Sequence, residues 1–219
     1  MSETKTIQIM ENILSENDKV SDEINALLSQ KGILAINILG APGIGKTTVI
    51  TNIIKGLGDL KGYVIEGDIE SDIDTVKLKE LGIETIQINT NGACHLDAIV
   101  IKENLKNIEF DKKGILFIEN IGNLVCPAEF FIGEHLKLLI TSVTDGSDKP
   151  YKYPLAFEKA DAIIVNKTDL LPYVDFDEEF FTKGVRALNK NAPIFKVSNK
   201  DVSKYTEVIE WIKNKHLKF

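Results

Sequence analysis

Gly40-Ala41-Pro42-Gly43-Ile44-Gly45-Lys46-Thr47 follows an apolar run, opens a helical pattern and reads G-x-x-x-x-G-K-[ST]. Glycines in such a turn let successive backbone N–H groups point at phosphate oxygens, and the helix N-terminus adds its partial positive charge. Lys46 is then placed to reach the β- and γ-phosphates of a nucleotide and the Thr47 hydroxyl to ligate magnesium, with Thr48 beside them in the same set. A second segment, Asn166-Lys167-Thr168-Asp169, reads N-K-x-D. The Asp169 carboxylate suits guanine, whose N1–H and exocyclic amino group both donate to it. Adenine lacks that amino donor and would leave the carboxylate poorly paired, a strong basis for discrimination. Lys167 can lie over the base, and Asn166 can tie this loop to the phosphate loop.

The remaining parts of a phosphate-transfer site are sparser. Glu119 ends an apolar run and is expected to face the γ-phosphate, directly or through magnesium-bound water; it stands in Glu119-Asn120-Ile121-Gly122, where small GTPases carry D-x-x-G. An acidic cluster spans 68–74, in which Asp68 is the candidate for a second magnesium-side carboxylate, while Asp74 suits a helix cap equally well. Lys46, Asp68 and Glu119 are therefore the catalytic candidates. Ser198-Asn199-Lys200 resembles the short S-A-K loop through which many GTPases support guanine. No glutamine stands where it would orient water, and the one arginine, Arg186, falls in a distal helix as an expected surface charge. Slow intrinsic GTP hydrolysis follows.

Cys94-His95 and Cys126-Pro127 occupy loops after two different apolar runs, and they include both cysteines of the chain. Two thiolates and an imidazole suit zinc or nickel rather than calcium or magnesium. Three ligands leave a tetrahedral shell incomplete, which implies exchangeable metal or a shell shared with a second subunit. Residue types alone equally allow packed thiols and a histidine near a helix start. His135 and His216 read as ordinary surface or core histidines.

Short apolar runs at 33–39, 63–66, 85–88, 114–118, 137–143, 162–165 and 194–197 predict strands buried on both faces. Helical spacing lies between them at 46–57, 74–81, 95–105, 178–188 and 203–216. The alternation predicts an α/β fold: a doubly wound, mostly parallel sheet with helices on both faces, and ligands at the carboxyl edge of the strands. Apolar residues Ile9, Ile13, Val20, Ile24, Leu27 and Leu28 predict an N-terminal helical extension, broken near 15–18 and covering the core. The division expected is residues 1–31 as extension and 32–219 as nucleotide domain, with 146–154 as the most loop-like stretch. The 219 residues suffice for one core without staples. A formal net charge of -7 without a basic run argues against nucleic acid, and the absence of a long apolar stretch argues against a membrane span. Two cysteines and no secretion signal suit the cytoplasm.

Together, G-A-P-G-I-G-K-T, N-T-N-G-A-C-H-L-D-A, I-E-N-I-G-N-L-V-C-P and N-K-T-D resemble the HypB family of hydrogenase-maturation GTPases, a SIMIBI-class group of P-loop proteins, over residues 32–211. The resemblance implies a GTP-dependent homodimer that holds nickel or zinc at its interface through Cys94, His95 and Cys126 of both chains. It implies delivery of nickel to the [NiFe]-hydrogenase large-subunit precursor, aided by a small zinc-containing accessory protein, and a switch role for 68–74. Two departures stand out. The sequence carries neither the cysteine motif nor the histidine-rich stretch found near the N-terminus of some members, and Ile44 occupies a position that is often serine. A urease-type nickel-insertion GTPase fits less well, because its metal motif is C-P-H and here Ala128 follows Cys126-Pro127. A metal-independent regulatory GTP-binding module, its cysteines merely packed, is a rival from a different class. An ATP-dependent kinase of the same fold is disfavoured by the N-K-T-D loop.

Overall fold

In the computed structural model, the backbone is described for residues 3–68, 73–90 and 92–219, and the side chains for 15–67, 75–90 and 92–219. The elements run α1 (Glu3–Gln30), β1 (Ile33–Leu39), α2 (Lys46–Lys55), β2 (Lys61–Asp68), α3 (Ile73–Glu80), β3 (Glu84–Asn89), α4 (Ala98–Leu105), β4 (Gly114–Glu119) and α5 (Cys126–Glu129). They continue with β5 (Leu136–Ser142), α6 (Lys149–Lys152), α7 (Pro154–Lys159), β6 (Ala162–Asn166), α8 (Glu178–Leu188), β7 (Ile194–Lys196) and α9 (Thr206–Leu217). The strands form one sheet in the order β3-β2-β4-β1-β5-β6-β7. Every pairing is parallel, so the expected mostly parallel sheet is wholly so among the described residues.

Alternate side chains of each strand enter opposite layers, because the side-chain period of a strand is two residues. Leu34, Ile36 and Ile38 pack with Val49, Ile50 and Ile53 of α2 and Val208 and Ile212 of α9. On the other face, Ile33 and Ala35 pack with Ile24 and Leu28 of α1 and Ile101 and Leu105 of α4, while Leu39 joins Phe157 and Phe181 under α7 and α8. Burying β1 and β4 completely on both faces explains their largely apolar runs. Asn37 breaks the β1 run, fully buried.

Several boundaries differ from the sequence reading. The N-terminal segment is one continuous helix, with no break at 15–18, and Leu27 on it is exposed rather than covering the core. Side chains of Ile9 and Ile13 lie outside the described residues. The helix expected from His95 starts at Ala98, because Asp97 caps it: its Oδ1 accepts from the Val100 N–H at 2.8 Å. The stretch 146–154 is largely ordered into α6, with Pro154 opening α7. Arg186 is half-buried rather than a surface charge, and its Nη1 donates to the carbonyls of Asn189 (3.2 Å) and Ala192 (2.7 Å) beyond the end of α8.

Candidate functional site

The loop between β1 and α2 turns through Gly43 (φ 73°) and Gly45 (φ 89°), backbone that side chains rarely adopt. Ile44 sits between them with its side chain buried in the core, which is why an apolar residue is tolerated there. A cleft of about 370 Å³ opens above the loop, lined by Pro42, Gly43, Gly45, Lys46, Thr47 and Thr48 on one side and by Glu66, Gly67 and 119–122 on the other. Lys46 is buried, its Nζ 3.4 Å from the Ala41 carbonyl and 3.9 Å from Glu119 Oε1. Thr47 Oγ1 donates to the same Glu119 oxygen at 3.2 Å. Glu66, which the motifs do not single out, is buried in the cleft wall beside Glu119, because β2 and β4 place the two in register; it accepts a hydrogen bond from Thr75 Oγ1. Asp68 ends β2 on this edge, but its side chain, like those of Glu70, Asp72 and Asp74, lies outside the described residues.

The second polar loop joins the first. Asn166 Nδ2 donates to the Ile44 carbonyl at 2.8 Å, and Lys167 Nζ donates to the Gly43 carbonyl at 2.8 Å. Lys167 takes a left-handed conformation (φ 59°), the one non-glycine residue with positive φ among the described residues, and Asn166 Oδ1 accepts from its N–H at 2.7 Å. Asp169 is gripped from the last loop: Ser198 Oγ donates to its Oδ1 at 2.7 Å, and Lys200 Nζ lies 3.5 Å from Oδ2. The Ser198 hydrogen bond, foremost, holds the Asp169 carboxyl below its ordinary range.

Cys94, His95 and Cys126 converge, their ligand atoms all within 4.8 Å of one another. Cys94 Sγ is 3.3 Å from His95 Nδ1, close to the roughly 3.5 Å between neighbouring S and N ligands of a tetrahedral zinc site. Both thiols are free. The Cys126 thiol, hydrogen-bonded to Cys94, pushes the Cys94 pKa up, and burial pushes that of His95 down, which favours the neutral imidazole a metal requires. The His95 ring stacks on Phe130, with centroids 4.3 Å apart and planes at 12°.

Asparagines given no role in the sequence reading hold these pieces. Asn120 Oδ1 accepts from the Leu96 N–H (3.1 Å), its Nδ2 donates to Asn37 Oδ1 (3.2 Å), and Asn123 Nδ2 donates to the Cys94 carbonyl (3.2 Å). The loop 119–126 thus touches both sites. It begins at Glu119, its Gly122 packs on Pro42, Asn123 forms a backbone bridge with Gly40, and Cys126 ends it. An isolated Asn inside the apolar run of β1 was the one signal in the sequence that a buried polar network lay there.

This sheet order, with the phosphate loop after its central strand, defines a P-loop nucleotide-binding protein. The family described as CobW/HypB/UreG, nucleotide-binding domain, matches residues 34–196. The chain is 40% identical over 213 residues to hydrogenase maturation factor HypB of Azotobacter chroococcum, covering 97% of this chain and 70% of the relative. It is 37% identical over 215 residues to the hydrogenase/urease maturation factor HypB of Helicobacter hepaticus, covering 96% and 88%. The crystal structure of HypB from Helicobacter pylori in complex with nickel superimposes with a TM-score of 0.89 at 32% identity, covering 93% of this chain and 96% of that one. The chain belongs to the CobW/HypB/UreG family, on its HypB branch.

Proposed function

We propose that this protein is a GTP-hydrolysing nickel carrier for the maturation of [NiFe]-hydrogenase, whose nucleotide state controls a metal site shared between two copies of the chain. The observation that carries the reading is the loop 119–126, which has a phosphate-side carboxylate at one end and a thiol of the Cys94–His95–Cys126 cluster at the other. Guanine selection rests on Asp169, supported by Ser198, and phosphate binding on residues 40–48.

Thr47 Oγ1 and Glu119 Oε1, 3.2 Å apart, are spaced close to the roughly 2.9 Å between adjacent oxygens around magnesium, so the donor set fits that ion. Bound there with Asp68 near by, magnesium would neutralise charge on the β- and γ-phosphates. Lys46 leaves Glu119 for the phosphates, and water displaces GDP from the γ-phosphorus as the bridging P–O bond breaks. With no glutamine or arginine lining the cleft among the described residues, turnover in the isolated protein is slow.

Nickel, or zinc in its place, is cargo. Cys94 is exposed, and Val125 and Phe131 present exposed apolar surface close to the cluster. A second copy there can supply the missing ligands. The proposed recipients and helpers are the hydrogenase large-subunit precursor and a small zinc-containing accessory protein, met in the cytoplasm. No helix among the described residues is long and apolar enough to cross a membrane.

The test is nickel and zinc binding with and without a non-hydrolysable GTP analogue, following mass in solution. Binding that is lost in Cys94→Ala and Cys126→Ala, and that shifts with nucleotide together with the dimer fraction, supports the carrier. Binding indifferent to both cysteines leaves only a GTP-binding module.

A further inference from the structure

α1 lies outside the segment matched by the family, yet one of its side chains reaches both backbones that build the metal cluster. Asn17 is buried, at 6% exposure. Its Oδ1 accepts from the Ala98 N–H at 3.0 Å, and its Nδ2 donates to the Phe131 carbonyl at 2.8 Å. Ala98 is the first residue of α4, three positions after His95, and its N–H has no partner within the helix. Phe131 follows Phe130, whose ring lies flat on the His95 imidazole. A single planar amide thus spans the histidine segment and the segment of its stacking partner, which are otherwise distant in sequence.

Neighbouring rungs of α1 hold only one of those segments. One turn on, Ser21 Oγ accepts from the Gly133 N–H at 2.9 Å; two turns on, Asn25 Nδ2 donates to the Glu134 carbonyl at 3.0 Å. Asn17, Ser21 and Asn25 recur every four residues and so form one stripe of the helix. Among the three, Asn17 alone has a hydrogen bond to the His95 side.

We propose that Asn17 is a positioning residue of the metal cluster, setting the His95 ring against Phe130 and towards Cys94 and Cys126, and that α1 is thereby a working part of the metal site. The inference rests on the reading of Cys94, His95 and Cys126 as metal ligands. Outer groups that orient metal ligands typically change affinity by about ten- to a hundred-fold when removed.

Nickel affinity, measured by competition with a chromogenic chelator, tests this in Asn17→Ala and in Asn17→Leu, which keeps the branch at Cγ and does not lower helix propensity while removing both hydrogen bonds. Ser21→Ala serves as the control for general loosening of α1, and Cys94→Ala for the ligand set. The expected result is a loss of about ten- to a hundred-fold in nickel affinity and a weaker thiolate-to-nickel absorption band in both Asn17 variants. GDP affinity should stay unchanged, and Ser21→Ala should remain within about two-fold of the parent, as expected for a group outside the ligand-orienting shell. Parent-like nickel affinity in Asn17→Leu, or an equal loss in Ser21→Ala, overturns the positioning role while leaving the ligand reading intact. Unchanged binding in Cys94→Ala overturns the ligand reading itself, and the inference with it.

Discussion

At the scale of single residues, the guanine selection proposed for this protein depends on how Asp169 is held. The Ser198 hydroxyl donates to one carboxylate oxygen, and the Lys200 ammonium lies near the other. Both favour the charged form, so the carboxyl titrates below the ordinary 3.8 of an aspartate. The sign follows from linkage. A depressed folded-state pKa contributes stability that is complete above pH 3.8 and is lost as pH falls through the depressed value. The preference for GDP over ADP, in which the shared phosphates cancel, should therefore be flat from neutral pH down to the ordinary carboxylate range and fall only below it. Ser198→Ala should weaken GDP binding several-fold and move the acid limb upward. Asp169→Ala should cost at least about a hundred-fold and erase the preference for guanine over adenine nucleotides. Fluorescent-nucleotide competition across pH measures all three, and a wild-type preference for GDP over ADP already falling at pH 6 would contradict the assignment.

At the scale of elements, the loop 119–126 must fit closely against the phosphate loop to touch both sites. Gly122 is the contact point. A Cβ added there would stand 2.7 Å from Pro42 Cγ and 2.9 Å from Pro42 N, and backbone cannot yield as a flexible side chain can. Gly122→Ala should part the two loops, breaking the bridge between Gly40 and Asn123. We expect GDP affinity to fall at least about ten-fold with a loss of roughly 1–3 kcal/mol in stability. Calorimetric titration and denaturant unfolding read the two quantities separately; unchanged GDP affinity would show that the loops are not docked in this way. Below this contact, a buried network continues through Asn120 and Asn37 to Glu134, which pairs with Lys137 at 3.5 Å. Lys137 Nζ also holds the carbonyls of Ala128 and Phe130, so the short helix carrying Cys126 is anchored from beneath.

At the scale of the whole molecule, the described residues of one chain bring together three side chains that could hold a metal, while a closed tetrahedral shell needs four. A ligand that completes its shell only between two copies stabilises the pair by mass action. With nickel and a GTP analogue in excess, the melting temperature should rise with protein concentration, and Cys126→Ala should abolish that dependence. Calorimetric scans at several protein concentrations decide it. A metal-induced rise independent of concentration would place the complete site within one chain.

The sequence alone determined the chemistry that lies on contiguous residues. A phosphate loop needs glycines at fixed offsets, a guanine loop needs its carboxylate, and neither depends on what is far along the chain. It also determined the alternation of strands and helices, because period-2 and period-3.6 patterns are local. What only tertiary structure decided was which loops meet. Inserting β4 between β2 and β1 puts Glu119 beside Glu66 and above Thr47, and no periodicity encodes that order. The same holds for Asn17, whose partners lie 81 and 114 residues away, and for Lys167, whose ammonium ends on Gly43 across 124 residues. An asparagine or lysine in sequence advertises donors and acceptors but not their partners; the packing of the sheet and α1 selects those, since a buried polar group must be satisfied wherever the fold carries it.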